Sequence, residues 1–160
     1  MEIERKFLVD RPPSDPSRFK HIAITQIYLT PIGSSTERRL RKVENSEGTI
    51  YFFTQKGGSG MIREESEREI SREEYLSLRA SAVSKELCKT RYFIPLERSF
   101  TAELDIYSGE LAGLIVAEVE FGSSDDALNF TPPDWFGKEI TNDQSYKNRA
   151  LAEHGHKRNE

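Results

Sequence analysis

Met1-Glu2-Ile3-Glu4-Arg5-Lys6 opens the chain, and its alternation decides how the rest is read. As a strand it places Glu2, Glu4 and Lys6 on one face and Ile3, Arg5 and Phe7 on the other. Two carboxylates roughly 7 Å apart on one face, with an ammonium next in line, make a poor core. They make a good site for a metal ion and a phosphate.

The same pattern recurs along the chain. Residues 2–9, 22–30, 36–45, 49–56, 61–70, 86–96, 99–108 and 113–122 are rich in Ile, Val, Tyr, Phe and Thr, with charges interleaved. Turn signals separate many of them: Pro31-Ile32-Gly33-Ser34, Asn45-Ser46-Glu47-Gly48 and Gly57-Gly58-Ser59-Gly60. Strands joined by such short links pair antiparallel. Ser71-Arg72-Glu73-Glu74 has the form of a capping box opening a helix to about residue 81. Ser123 and Ser124 can cap a short helix through Asn129, and residues 143–154 read as a terminal helix.

The charges fall in particular registers. Arg39 and Arg41 share a face, as do Thr54 and Lys56, then Arg63, Glu65, Glu67 and Glu69, then Lys89 and Arg91, Glu103 and Asp105, and Glu118 and Glu120. The opposite faces carry Tyr51 and Phe53, Leu104 and Ile106, and Ala117, Val119 and Phe121. Any single pair is read most simply as solvated surface. A set repeated over so many strands fits a closed barrel with its charges inside and its apolar faces packed outward against helices and loops. A charged interior requires compensation or a ligand. Acids would hold divalent cations and bases a polyanion.

Glu2, Glu4, Glu118 and Glu120, with Asp105 next, are candidate ligands for a hard cation such as Mg²⁺ or Mn²⁺. The chain has 3 histidines, two of them near the C-terminus, so a histidine-based zinc site is not expected. Lys6, Arg39, Arg41, Lys56, Arg63, Lys89, Arg91 and Lys147 suit phosphoryl oxygens. The expected reaction is phosphoryl transfer with water as nucleophile, driven by positioning and charge neutralisation. The glycine-rich Gly57–Gly60 stretch lacks the Lys-Ser/Thr ending of a P-loop.

Composition sets the bounds. The chain has 160 residues, a formal net charge of −4 and one cysteine, Cys88. The expectation is one domain over 1–160, no internal disulfide, no nucleic-acid or membrane partner, a cytoplasmic location and a monomeric or homodimeric state. No apolar run approaches the length of a membrane span.

These motifs resemble the CYTH superfamily, the triphosphate tunnel metalloenzymes. Glu2-Ile3-Glu4-Arg5-Lys6 matches its E-x-E-x-K signature. Gln26-Ile27-Tyr28-Leu29, Arg39-Leu40-Arg41, Thr54-Gln55-Lys56, Arg63 through Glu67, Lys89-Thr90-Arg91-Tyr92, Glu103-Leu104-Asp105-Ile106-Tyr107 and Glu118-Val119-Glu120 follow in the family's order. Trp135 through Thr141, then Tyr146-Lys147-Asn148, resembles the C-terminal segment of small bacterial members. The resemblance implies a mainly β fold, an eight-stranded antiparallel closed β-barrel forming a charged tunnel with a few flanking helices. It implies divalent-metal-dependent triphosphate hydrolysis inside.

Carried over, Glu2, Glu4, Glu118 and Glu120 hold metal, helped by Asp105. Lys6, Arg39, Arg41, Lys56, Arg91 and Lys147 hold the triphosphate, joined by Arg63 and Lys89. Lys6 with Tyr28 resembles a catalytic lysine–tyrosine pair, with Lys56 beside it, although Tyr28 reads equally well as a packed strand aromatic. Glu65, Glu67 and Glu103 support the arginines. The small size favours inorganic tripolyphosphate as substrate. Class IV adenylate cyclase, thiamine triphosphatase and a non-catalytic polyphosphate- or nucleotide-binding module remain as alternatives.

Overall fold

The computed structural model describes residues 3–13, 15–57 and 64–156, so Glu2 and Arg63 lie outside the described residues. Eight antiparallel strands form one sheet: β1 (Ile3–Leu8), β2 (Lys20–Tyr28), β3 (Thr36–Asn45), β4 (Gly48–Gly57), β5 (Glu64–Ile70), β6 (Leu87–Pro95), β7 (Thr101–Ser108) and β8 (Ile115–Phe121). Three helices flank it: α1 (Arg72–Arg79), α2 (Ser124–Asn129) and α3 (Asn148–His154). No helix among the described residues is long and apolar enough to cross a membrane.

Local chemistry explains several boundaries. The β3–β4 hairpin turns at Asn45, whose Oδ1 accepts from the amides of Glu47 and Gly48 at 2.8 and 3.1 Å. Gly48, at φ 140°, takes a conformation that a side chain disfavours. Ser71 caps α1 by accepting from the Glu74 amide at 3.1 Å. The reciprocal half of the expected capping box is not made, because the Glu74 carboxylate binds Arg68 at 2.7 and 3.2 Å. Ser123 caps α2 in the same way.

The expected terminal helix over 143–154 is broken. Gln144–Tyr146 form a single 3₁₀ turn, Lys147 is extended at φ −67°, ψ 141°, and α3 begins only at Asn148. Asp143 explains the break, since its carboxylate accepts from the Ser145 amide and hydroxyl and fixes a tight turn. Lys147 therefore precedes the helix rather than lying on it.

The strands pair in the order β1-β8-β7-β6-β2-β3-β4-β5, which leaves β1 and β5 at the two ends. The eight antiparallel strands are as expected, but among the described residues the sheet has two ends rather than the closure of a barrel. The outer edge of β1 is already occupied. Leu8 donates to the Lys138 carbonyl at 2.8 Å, Gly137 to Leu8 at 2.6 Å and Ile140 to Lys6 at 2.8 Å. A Cβ at Gly137 would meet the Leu8 oxygen at 2.8 Å, so only glycine permits this approach. Arg5 fastens the segment, bonding Glu139 at 2.7 and 3.0 Å and the carbonyls of Ala127 and Phe130.

The two faces of the sheet differ as the alternation requires. On the outer face Phe7, Ala102, Leu104, Ala117, Val119 and Phe121 pack under Ala127 of α2 and Phe136. Ile27, Leu40 and Ile70 pack against Tyr75 of α1. Each fully buried aliphatic side chain of this kind contributes about 1.5–3 kcal/mol. Trp135 and Phe136 anchor the loop, with Phe136 packed 4.9 Å from the Phe7 ring. The inner face is polar except at one end. There Leu87, Tyr107 and Val116 meet Leu151 of α3, and α3 packs against β2 and β6.

Candidate active site

Register brings the inner-face charges together. Glu4 of β1 lies opposite Glu120 of β8, Lys6 opposite Glu118, and Glu118 opposite Glu103 of β7. Further round the sheet, Asp105 pairs with Arg91, Gln26 with Arg41 and Tyr28 with Arg39, and Arg39 then pairs with Thr54. Each position follows from the period of two, so one residue per strand in every row faces the same side.

Carboxylate oxygens of Glu4, Glu118 and Glu120 lie within 4.8 Å of one another. Neither Glu118 nor Glu120 forms an ion pair with another described residue. Three converging oxygen donors are the coordination chemistry of a hard divalent cation. Glu103 stands beside them, with its carboxyl pushed up from the ordinary range by burial despite Arg91, and further by Glu118 and Glu120.

Asp105 is placed differently. It is 3% exposed, and its two oxygens accept from Lys89 Nζ at 2.8 Å and from Arg91 Nε and Nη2 at 2.8 and 3.0 Å. Burial opposes its charge, but Lys89 and Arg91 outweigh burial and hold the carboxyl below the usual range. Burial brings Lys89 down to about 8 in spite of Asp105, with Arg91 adding to the effect. Arg91 also reaches Glu103 at 3.3 Å.

The basic wall is built from β3 and β4, with Arg91 of β6. Arg41 is brought down to about 10 by burial and by the neighbouring Arg39 and Arg91. That mutual effect shows Arg39, Arg41 and Arg91 sharing one region although they sit on two separate strands. Arg39 approaches Glu67 at 3.9 Å, and its buried Nε has no hydrogen-bond partner. Thr54 donates to Glu67 at 2.7 Å, and Lys56 lies 3.8 Å from Glu65.

Lys6 and Tyr28 do not meet. Lys6 Nζ donates to the Tyr146 carbonyl at 3.3 Å, whereas the Tyr28 hydroxyl accepts from Gln26 at 2.6 Å. Lys147 is exposed and makes no ion pair among the described residues.

Several residues in the site were given no role by the sequence reading. Gln26 bridges Tyr28 and Arg41, Tyr107 donates to Asn148, and Arg149 lies over the Tyr28 ring. Gln26 carried a signal, since it alternates with Tyr28 on a strand whose face is otherwise apolar. Arg149 carried none.

No protein-family profile matches the chain. An inorganic triphosphatase of Nitrosomonas europaea is 42% identical over 151 residues, spanning 94% of this chain and 96% of its own length. The chain belongs to the inorganic triphosphatase family. A second inorganic triphosphatase, from Acetivibrio thermocellus, is 35% identical over 165 residues, covering 98% of this chain and 96% of its own. The crystal structure of the inorganic triphosphatase NE1496 superposes with a TM-score of 0.75 at 40% identity, covering 95% of this chain and 94% of that one. Membership in the inorganic triphosphatases agrees with the CYTH resemblance carried by the motifs, and makes the chain a hydrolytic enzyme rather than a binding module.

Proposed function

We propose that this enzyme hydrolyses inorganic tripolyphosphate to diphosphate and phosphate on the inner face of the sheet, in a reaction requiring Mg²⁺ or Mn²⁺. The convergence of Glu4, Glu118 and Glu120 on the sheet face that also carries Arg39, Arg41 and Arg91 is the observation that carries this reading. Three hard oxygen donors fit a divalent cation, and Glu2, the partner of Glu4 in the E-x-E-x-K motif, would complete the set. When bound, the cation would neutralise charge on the phosphoryl oxygens and orient the attacking water.

The chain's own residues supply the rest. Arg39, Arg41 and Arg91 offer the equatorial oxygens those guanidinium N–H groups that Glu67, Gln26, Asp105 and Glu103 leave over, where charge spreads in a loose transition state. The Arg39 Nε, buried with no hydrogen-bond partner among the described residues, is a donor available for this task. Asp105 holds Lys89 and Arg91 in place rather than binding metal, because both its oxygens are already taken. Glu65 and Glu67 steer Lys56 and Arg39. Lys6, directly opposite Glu118 in the register, approaches the site from β1, while α3 covers the apolar end. Closure of the sheet into a tunnel, by approach of β5 to the part of β1 that the 137–140 segment leaves open, belongs to the same proposal.

Phosphate release from tripolyphosphate with Mg²⁺ or Mn²⁺, and its loss on adding EDTA, is the expected result. Release from ATP or thiamine triphosphate alone, or release unaffected by EDTA, would overturn the assignment.

A further inference from the structure

Gln26 is wholly buried on β2, and both ends of its amide are bonded. Its Oε1 accepts from Arg41 Nε at 3.3 Å and Nη2 at 3.2 Å, and its Nε2 donates to the Tyr28 hydroxyl at 2.6 Å. This orientation is forced. A guanidinium carries donors only, so the amide oxygen must face Arg41 and the amide NH₂ must face Tyr28. The phenol oxygen is therefore an acceptor, and its own hydrogen is left for another partner.

The described surroundings offer that hydrogen no acceptor. Arg149 lies over the ring, its guanidinium carbon 5.1 Å from the centroid. The nearby charged groups that lower the energy of the phenolate are Arg39 and Arg41, both donors, and Glu37 acts in the opposite sense without a hydrogen bond to Tyr28. Burial still outweighs these cations and holds the phenol above its ordinary value, so the hydroxyl keeps its proton at neutral pH. Backbone groups of β2 are engaged in the ladder to β3 and β6, and those of Tyr28 itself bond the Ser84 hydroxyl and the Val83 amide.

We propose that Gln26 is a positioning residue that makes Tyr28 a hydrogen-bond donor to an oxygen of the bound polyphosphate. This rests on the reading of the inner face as a triphosphate site. No proton is transferred. The Tyr28 hydroxyl stabilises charge as it develops on the phosphoryl or leaving-group oxygen, and the Arg41–Gln26 contact fixes its direction.

Gln26→Glu tests this at nearly constant shape. The introduced carboxylate accepts from Arg41 as before, but it also accepts from Tyr28, which must then turn its hydrogen inward. Gln26→Glu and Tyr28→Phe are each expected to lower kcat for tripolyphosphate about 10- to 100-fold, with KM changed less than about threefold. The double variant is expected to be no slower than the slower single one. In the ¹³C spectrum of ring-labelled tyrosine, assigned with Tyr28→Phe, the Tyr28 titration midpoint should rise in Gln26→Glu, because a donor is replaced by a negative acceptor. If Gln26→Glu fails to fold, Gln26→Met removes both bonds without adding charge, and its kcat loss should likewise be non-additive with Tyr28→Phe. Multiplicative losses, or a wild-type kcat in Gln26→Glu, would overturn the proposal. An unmoved Tyr28 midpoint would do the same and needs no substrate, so it separates failure here from failure of the tripolyphosphate reading.

Discussion

Two regions of the inner face use acidic residues in opposite ways. At Asp105 opposite charges meet, with one buried carboxylate, one ammonium and one guanidinium bonded at 2.8–3.0 Å and Glu103 3.3 Å from the same guanidinium. At Glu4, Glu118 and Glu120 like charges converge within 4.8 Å. Both regions lie on the same β7–β8 wall. What separates them is the neighbouring strand: β6 gives Asp105 its Lys89 and Arg91, whereas β1 brings Glu118 and Glu120 another carboxylate. The first arrangement maintains the structure without a ligand. The second gathers oxygen donors in the arrangement a divalent cation would take.

The sharpest way to break this contrast is to remove the acid from each region. Asp105→Ala leaves Lys89 and Arg91 buried without their counter-charge, and should destabilise the protein by about 3–5 kcal/mol. Calorimetry should show a melting temperature lower by about 10 °C. Glu118→Ala should do the reverse: phosphate release down about 10²- to 10³-fold, with the melting temperature unchanged or higher because repulsion is relieved. A Glu118→Ala variant that unfolded while keeping its specific activity would erase the distinction.

Metal should act on one region only. Saturating Mn²⁺ at about 100 times its dissociation constant would stabilise the wild type by about 2.7 kcal/mol. Glu118→Ala should show no such rise, and Asp105→Asn should retain it.

Acid should act on the other region. The Asp105 carboxyl lies below its unfolded value, so its contribution is present above about pH 3.9 and is lost as pH falls through the folded value. The stability advantage of the wild type over Asp105→Asn in urea melts should therefore shrink below about pH 4. An advantage independent of pH would show that the charge on Asp105 is not what holds the cluster.

The smallest effect is expected outside both regions. Ser71→Ala removes the α1 cap and should cost about 1 kcal/mol, with phosphate release per folded molecule unaltered.

The strands and their faces were legible because alternation is local. Tyr51 and Phe53 against Thr54 and Lys56, or Val119 against Glu118 and Glu120, show which side is apolar without knowledge of any partner strand. The cap at Ser71 and the turn at Asn45 were legible for the same reason. The break at Lys147 was not, because a helical pattern over 143–154 does not reveal that Asp143 folds back on Ser145. Nor did Lys6 and Tyr28, which the motifs link, meet in space: Lys6 turns to Tyr146 and Tyr28 to Gln26.

By itself, then, the sequence determined a β chain with one charged face, its motifs and its kinship with the triphosphatases. Only the tertiary structure decided which acids gather. It set Glu4 beside Glu118 and Glu120, gave Asp105 to Lys89 and Arg91, and laid residues 137–140 along the edge of β1. The physical reason is that alternation is written in each strand, whereas register and edge occupancy depend on partner strands elsewhere in the chain, more than a hundred residues away in the case of β1.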